Sequence, residues 1–203
     1  MDADFSVELG PPAEEAVLEF PWDSDVPGGP RYLDLRRHPE LLAEVSEAAA
    51  HPALAAFLRA VNSPASPLET AKCDVWTDGD LGEAEEIYGG RTKLAAYIDL
   101  VFAVAPDRRD EAAAAPRFSF PHHERLAAAL VGRLRRAPEI AAAIELIVRR
   151  CYYARPGAAA AVGFYLTAYV SGYGVDEADA CRPWQQALAA LADAILDLPA
   201  ARD

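Results

Sequence analysis

The sequence predicts an α+β fold, an antiparallel sheet of three to five strands with helices packed mainly on one face. Three observations carry this expectation. Apolar residues recur at helical spacing near residues 38–61, switch to a period of two within 72–104, and return to a period of two from Val162 to Tyr173. The connection between the two central alternating runs is too short for most parallel crossovers, so a hairpin joins them. At 203 residues, with 52% hydrophobic and 25% charged residues, the chain can bury a core without disulfides or a structural metal.

Residues 1–30 read as an acidic, Pro-rich arm and residues 31–203 as a single α+β domain. Two short pieces, Phe5 to Leu9 and Ala16 to Phe20, suit edge strands, because Pro11, Pro12, Pro21, Pro27 and Pro30 forbid longer elements. His38-Pro39 and His51-Pro52 each put proline in a first helical turn, followed by Leu41, Leu42, Val45 and by Leu54, Phe57, Leu58, Val61. Asn62 to Pro67 ends that helical region. Strands are predicted over Lys72 to Asp78 and Leu94 to Val104, with a short strand over Arg117 to Phe120. Helices are predicted at about 122–136, on the Leu126, Leu130, Leu134 stripe, and at 138–153, on Ile140, Ile144, Ile147, Val148 and Cys151. After the strand at Val162 to Tyr173, a last helix starts near Pro183 and buries Trp184, Leu188, Leu191, Ile195 and Leu198.

The net charge of −13 disfavours direct binding to nucleic acid, whose phosphates call for clustered Lys and Arg. Eight acids and no base fall in residues 1–30, whereas Arg117 to Arg155 holds eight Arg against Glu124, Glu139 and Glu145. Such asymmetry suits contact between the two segments, or solvated faces on each. An anion pocket from Arg133, Arg135, Arg136, Arg149, Arg150 and Arg155 would require the two helices to pair. The start of the chain has no basic, apolar leader and no segment approaches a membrane span, so a cytoplasmic protein is expected. Cys73, Cys151 and Cys181 have no ligand spacing and read as free thiols.

If the three strands are neighbours, one phase of each collects Asp74, Trp76, Tyr97, Asp99, Tyr165, Thr167, Tyr169 and Tyr173 on a single face. Carboxylates beside aromatic rings suit an Arg-bearing peptide, an amine or a sugar, and the same rings suit a protein interface. An ordinary solvated sheet surface is the bland alternative. His122 and His123 adjoin Glu124 at a helix start and are the candidate ligands for a divalent metal, although adjacent helical residues point about 100° apart. No cofactor is expected otherwise. No nucleophile, phosphate-loop or dinucleotide signature is present. The expected function is a non-catalytic binding or accessory protein that engages a protein partner, or a second copy of itself, through the aromatic face or the acidic arm. The alternative is a small-molecule binder or a hydrolase-like enzyme using Asp74 and Asp99, assisted by a metal on His122 or His123.

Overall fold

The computed structural model describes residues 5–23, 29–104, 115–155 and 158–198, and its architecture is α+β. Its strands are β1 (Ser6–Leu9), β2 (Ala13–Phe20), β3 (Leu68–Asp78), β4 (Thr92–Phe102), β5 (Ala142–Arg155) and β6 (Ala158–Gly174). The helices are α1 (Ser46–Ala50), α2 (Pro52–Val61), α3 (Phe120–Leu134) and α4 (Glu177–Leu196), with 3-10 turns at Pro39–Glu44, Glu83–Tyr88 and Ala115–Phe118. The strands form one six-stranded sheet in which β5, β6, β4 and β3 follow one another antiparallel. At one margin β1 and β2 lie end to end along β5, both parallel to it.

Gly10, Pro11 and Pro12 break that margin into two pieces. A Cβ on Gly10 would sit 2.7 Å from Glu145 Oε1, and two prolines supply no backbone donor. The acidic N-terminal stretch therefore reaches the sheet as a divided edge strand on β5, within the Arg-rich segment. Asp2, Asp4 and Asp25 lie outside the described residues.

Even-numbered residues of β4, β5 and β6 meet the helices. Leu94, Ala96, Ile98 and Leu100, Ala142, Ile144, Leu146 and Val148, and Leu166, Ala168 and Val170 join Leu54, Phe57, Leu58 and Val61 of α2 in the main core. Trp184 on α4, fully buried, belongs to the same cluster. Each large side chain so buried contributes about 1.5–3 kcal/mol. The backbone of α4 lies directly on β6. A Cβ on Gly172 would come within 2.3 Å of Trp184 N, and one on Gly174 within 2.3 Å of Ala180 N.

The opposite face carries a smaller core at one end. Leu18, Phe20, Ala71, Val101, Cys151, Tyr153 and Tyr165 pack there, with Trp22, Tyr32 and Phe118 against them. Arg117 enters this cluster between the rings of Phe20 and Tyr153, at 5.1 and 5.2 Å, and binds Glu69 Oε1 at 2.6 Å.

Three sequence expectations need correction. Residues 142–155 form strand β5, not a helix, because Ile140, Ile144 and Val148 satisfy a spacing of two as well as of four. The β-branched run Ile147-Val148 favours the strand. Arg117 to Phe120 is no strand, since Ala115–Phe118 is a 3-10 turn leading into α3. The last helix starts at Glu177, ahead of Pro183, because the Asp176 side chain accepts from Asp179 N at 2.9 Å and caps it. The first His-Pro pair opens a 3-10 turn followed by the five-residue α1, and the second opens α2 as expected. Among the described residues no helix is long and apolar enough to cross a membrane.

Candidate functional site

Strands β3, β4 and β6 are neighbours, so the residues of the second phase share one face. Asp74, Tyr97 and Tyr169 stand opposite one another in a row that continues to Glu145 on β5. The next row contains Asp99, Thr167 and Ile147. On the other side, Trp76 aligns with Ala95 and Ser171, whose small side chains leave the rings standing above their surroundings. The rings of Trp76 and Tyr97 are 6.5 Å apart, as are those of Tyr97 and Tyr169. Arg149 Nη2 donates to Tyr169 Oη at 3.3 Å and its guanidinium lies over the same ring.

The face divides in two. Tyr165, only 1% exposed, belongs to the smaller core and offers no surface. Trp76 is 37% exposed and Tyr97 and Tyr169 are half-buried, so these three rings form the open half. Asp99 and Thr167 lie at the boundary, buried, with Thr167 Oγ1 donating to Asp99 Oδ1 at 2.7 Å. Burial pushes the Asp99 carboxyl up to about 6, against the pull of the Thr167 hydrogen bond and of Lys72 and Arg149. Burial also pushes the Tyr97 phenol up to about 12, assisted by the charges of Asp99 and Asp74.

A charged cluster closes the far end. Lys93 Nζ lies 2.7 Å from Glu85 Oε1 and 3.7 Å from Asp78 Oδ2, and Tyr173 Oη donates to Glu85 Oε1 at 3.2 Å. Burial opposes ionisation of Glu85, but these hydrogen bonds and the Lys93 charge hold its carboxyl below the ordinary range. Tyr88 stacks on Tyr173 with ring centres 4.0 Å apart. Beside β3 lies a groove of about 780 Å³, bounded by Trp22, Arg31, Glu47, Lys72, Asp74 and Tyr97.

The histidines stand elsewhere. His122 is exposed, with Nδ1 2.7 Å from Ser119 Oγ. His123 points inward between Phe102 and Phe164, its Nδ1 3.0 Å from Ser119 O and its Nε2 unpartnered. Phe102 and Phe164 are on the helix-covered side of the sheet, opposite Asp99, so the structure does not bring the histidines to the two aspartates. Among the described residues no three His, Cys, Asp or Glu side chains gather in a way that could hold a metal ion.

Among the described side chains, which do not include that of Arg155, the arginines do not form one pocket, because the second helix that would have gathered them is β5. Arg133 Nη2 donates to Asp197 O at 3.2 Å and Arg135 Nη2 to Val7 O at 3.2 Å, while Arg149 serves the sheet face. Cys73 and Cys151 are thiols that burial pushes up to about 12.

Sequence reasoning missed Lys72 and Lys93, and assigned Arg149 to an anion pocket instead of the sheet face. The two lysines share the phase of Asp74 and Tyr97 and were therefore legible in the alternation. Arg149 was hidden by its assignment to a helix. No protein-family model matches the chain, and neither the curated proteins nor the solved structures contain a match.

Proposed function

We propose that this chain is a non-catalytic binding or accessory protein that engages a protein partner through the open half of its sheet face. One observation carries this reading: three aromatic rings, Trp76, Tyr97 and Tyr169, run across three adjacent strands on the side the helices leave uncovered. Tyr and Trp bury large areas at low conformational cost and keep a polar tip for a partner. Asp74 beside Tyr97, with Lys72 and Arg149 near Asp99, adds charges of both signs. The mixture suits a polar partner surface rather than a uniformly charged one.

The test replaces Trp76 and Tyr169 with Ala and compares affinity capture from the native lysate, scored by mass spectrometry. Loss of a protein captured by the parent, with an unchanged circular dichroism spectrum and melting temperature, supports the reading. Equal capture by parent and variant removes the face from consideration.

A second reading is favoured by Asp99. A buried carboxyl held at about 6 beside tyrosines suits a small cationic ligand or proton transfer. It predicts a retained metabolite in native mass spectrometry, displaced in Asp99→Asn. The metal-assisted form draws no support, since His122 and His123 lie away from Asp74 and Asp99.

A further inference from the structure

Strand β3 ends the sheet, and its exposed portion is unlike the divided margin at β1 and β2. Leu68 to Ala71 are buried, whereas Lys72 to Asp78 are exposed or half-exposed. This stretch contains no proline and is one unbroken antiparallel ladder with β4. In such a ladder alternate residues turn both backbone polar groups outward. Past the register shift at Ala71, one contact identifies the outward set: Val75 N donates to Asp74 Oδ1 at 2.8 Å. Outward groups therefore belong to the odd positions, and Cys73 and Thr77 present theirs beside Val75.

From these facts we infer that β3 pairs antiparallel with β3 of a second copy, about a two-fold axis at Val75, to make one continuous twelve-stranded sheet.

The charge order of the strand selects this register. Centred on Val75, Lys72 stands opposite the second copy's Asp78 on the same face, twice by symmetry, and Asp74 stands opposite Trp76. Centring on Asp74 would oppose Asp74 to itself, and centring on Trp76 would oppose Asp74 to Asp78. Centring on Thr77 would oppose Asp74 to Asp80. Centring on Cys73 would recruit Thr70 and Ala71, which are buried, and Ala71 O is already taken by Trp22. Opposite charges facing across a ladder are favourable and like charges unfavourable, so charge disfavours the Asp74, Trp76 and Thr77 registers, the buried flank disfavours the Cys73 register, and Val75 is left. Pairing of Val75 with its copy, and of Cys73 with Thr77, satisfies the outward groups, and Asp74 releases Val75 N to its new partner. The aromatic faces of the two copies then lie side by side. This inference uses the strand edge and does not depend on the face reading above.

Sedimentation velocity of the unmodified chain over a concentration series is the first measurement. A reversible dimer is expected. Lys72→Asp alone and Asp78→Lys alone each place like charges opposite one another and weaken dimerisation by about tenfold. The doubly swapped Lys72→Asp/Asp78→Lys chain, and an equimolar mixture of the two single variants, recover it. Val75→Cys, in a Cys73→Ala/Cys181→Ala background, should oxidise to a covalent dimer, since hydrogen-bonded pairs hold Cα atoms about 5.5 Å apart. This variant decides the matter if Asp78→Lys, deprived of its contact with Lys93, fails to fold. Tyr169→Ala, two strands inward, leaves self-association intact and so separates this idea from the face. A chain monomeric at every concentration, or a dimer indifferent to the charge swaps, overturns the inference.

Discussion

Thr167 and Asp99 face each other across the β4–β6 ladder, joined by a 2.7 Å hydrogen bond to a carboxylate only 6% exposed. Asp99 is thus a titratable group built into the sheet, and His123, 1% exposed on the other side, is its counterpart. Burial pushes the Asp99 carboxyl up to about 6 and, chiefly, the His123 imidazole down to about 4.

The two shifts give opposite pH slopes over the same window. Between pH 4 and 6 the folded chain holds a proton on Asp99 that the unfolded chain has lost, so this group's contribution to stability falls as pH rises. The unfolded chain protonates His123 in that window while the folded chain does not, so that contribution rises with pH. Each amounts to about 3 kcal/mol and they offset one another in the parent. Asp99→Asn should therefore expose a gain in stability from pH 4 to 6, and His123→Asn a loss over the same window. Urea unfolding at several pH values measures both slopes, and parallel profiles in parent and variants would show that neither group is shifted.

Arg117 is the keystone of the smaller core. Arg117→Met leaves Glu69 without its ion pair, where burial already raises its pKa despite the Arg117 charge. A loss of about 3–5 kcal/mol is expected in urea unfolding. Removing the charge as well, in Arg117→Met/Glu69→Met, should restore most of it. A double variant as damaged as the single would shift the explanation to the lost contacts with Phe20 and Tyr153.

Two glycines predict opposite outcomes. Gly172→Ala drives a methyl into the backbone of α4 at Trp184 and Ala180, neither of which can rotate away, and should cost about 3 kcal/mol. Gly132→Ala, on α3, meets nothing within 4 Å and should stabilise the fold by about 0.5–1 kcal/mol. Thermal unfolding of both variants checks the pair.

What the sequence revealed follows from which interactions are local. The phase of β3, β4 and β6 was legible because each alternates, but their adjacency was only a condition of that reading, and it is the pairing of the strands that brings Asp74, Tyr97 and Tyr169 into one row. The β5 strand was not, since Ile144 and Val148 fit two periods and only pairing with β6 decides between them. The smaller core was also hidden. Phe20, Tyr32, Phe118 and Tyr153 come from distant segments, and their assembly buries Tyr165, which alternation alone had placed on open surface. Burial of Asp99 had the same non-local origin.

The margin split at Gly10-Pro11-Pro12 bears on how such molecules behave when crowded. A strand in two short pieces, interrupted by residues that cannot donate, is a poor template for a neighbour. With one side of the described sheet blunted and the other uninterrupted from Lys72 to Asp78, strand addition has a single direction among the described residues, and the pairing inferred above would use it up. Growth into fibres needs two receptive sides on every molecule, and the described sheet offers one.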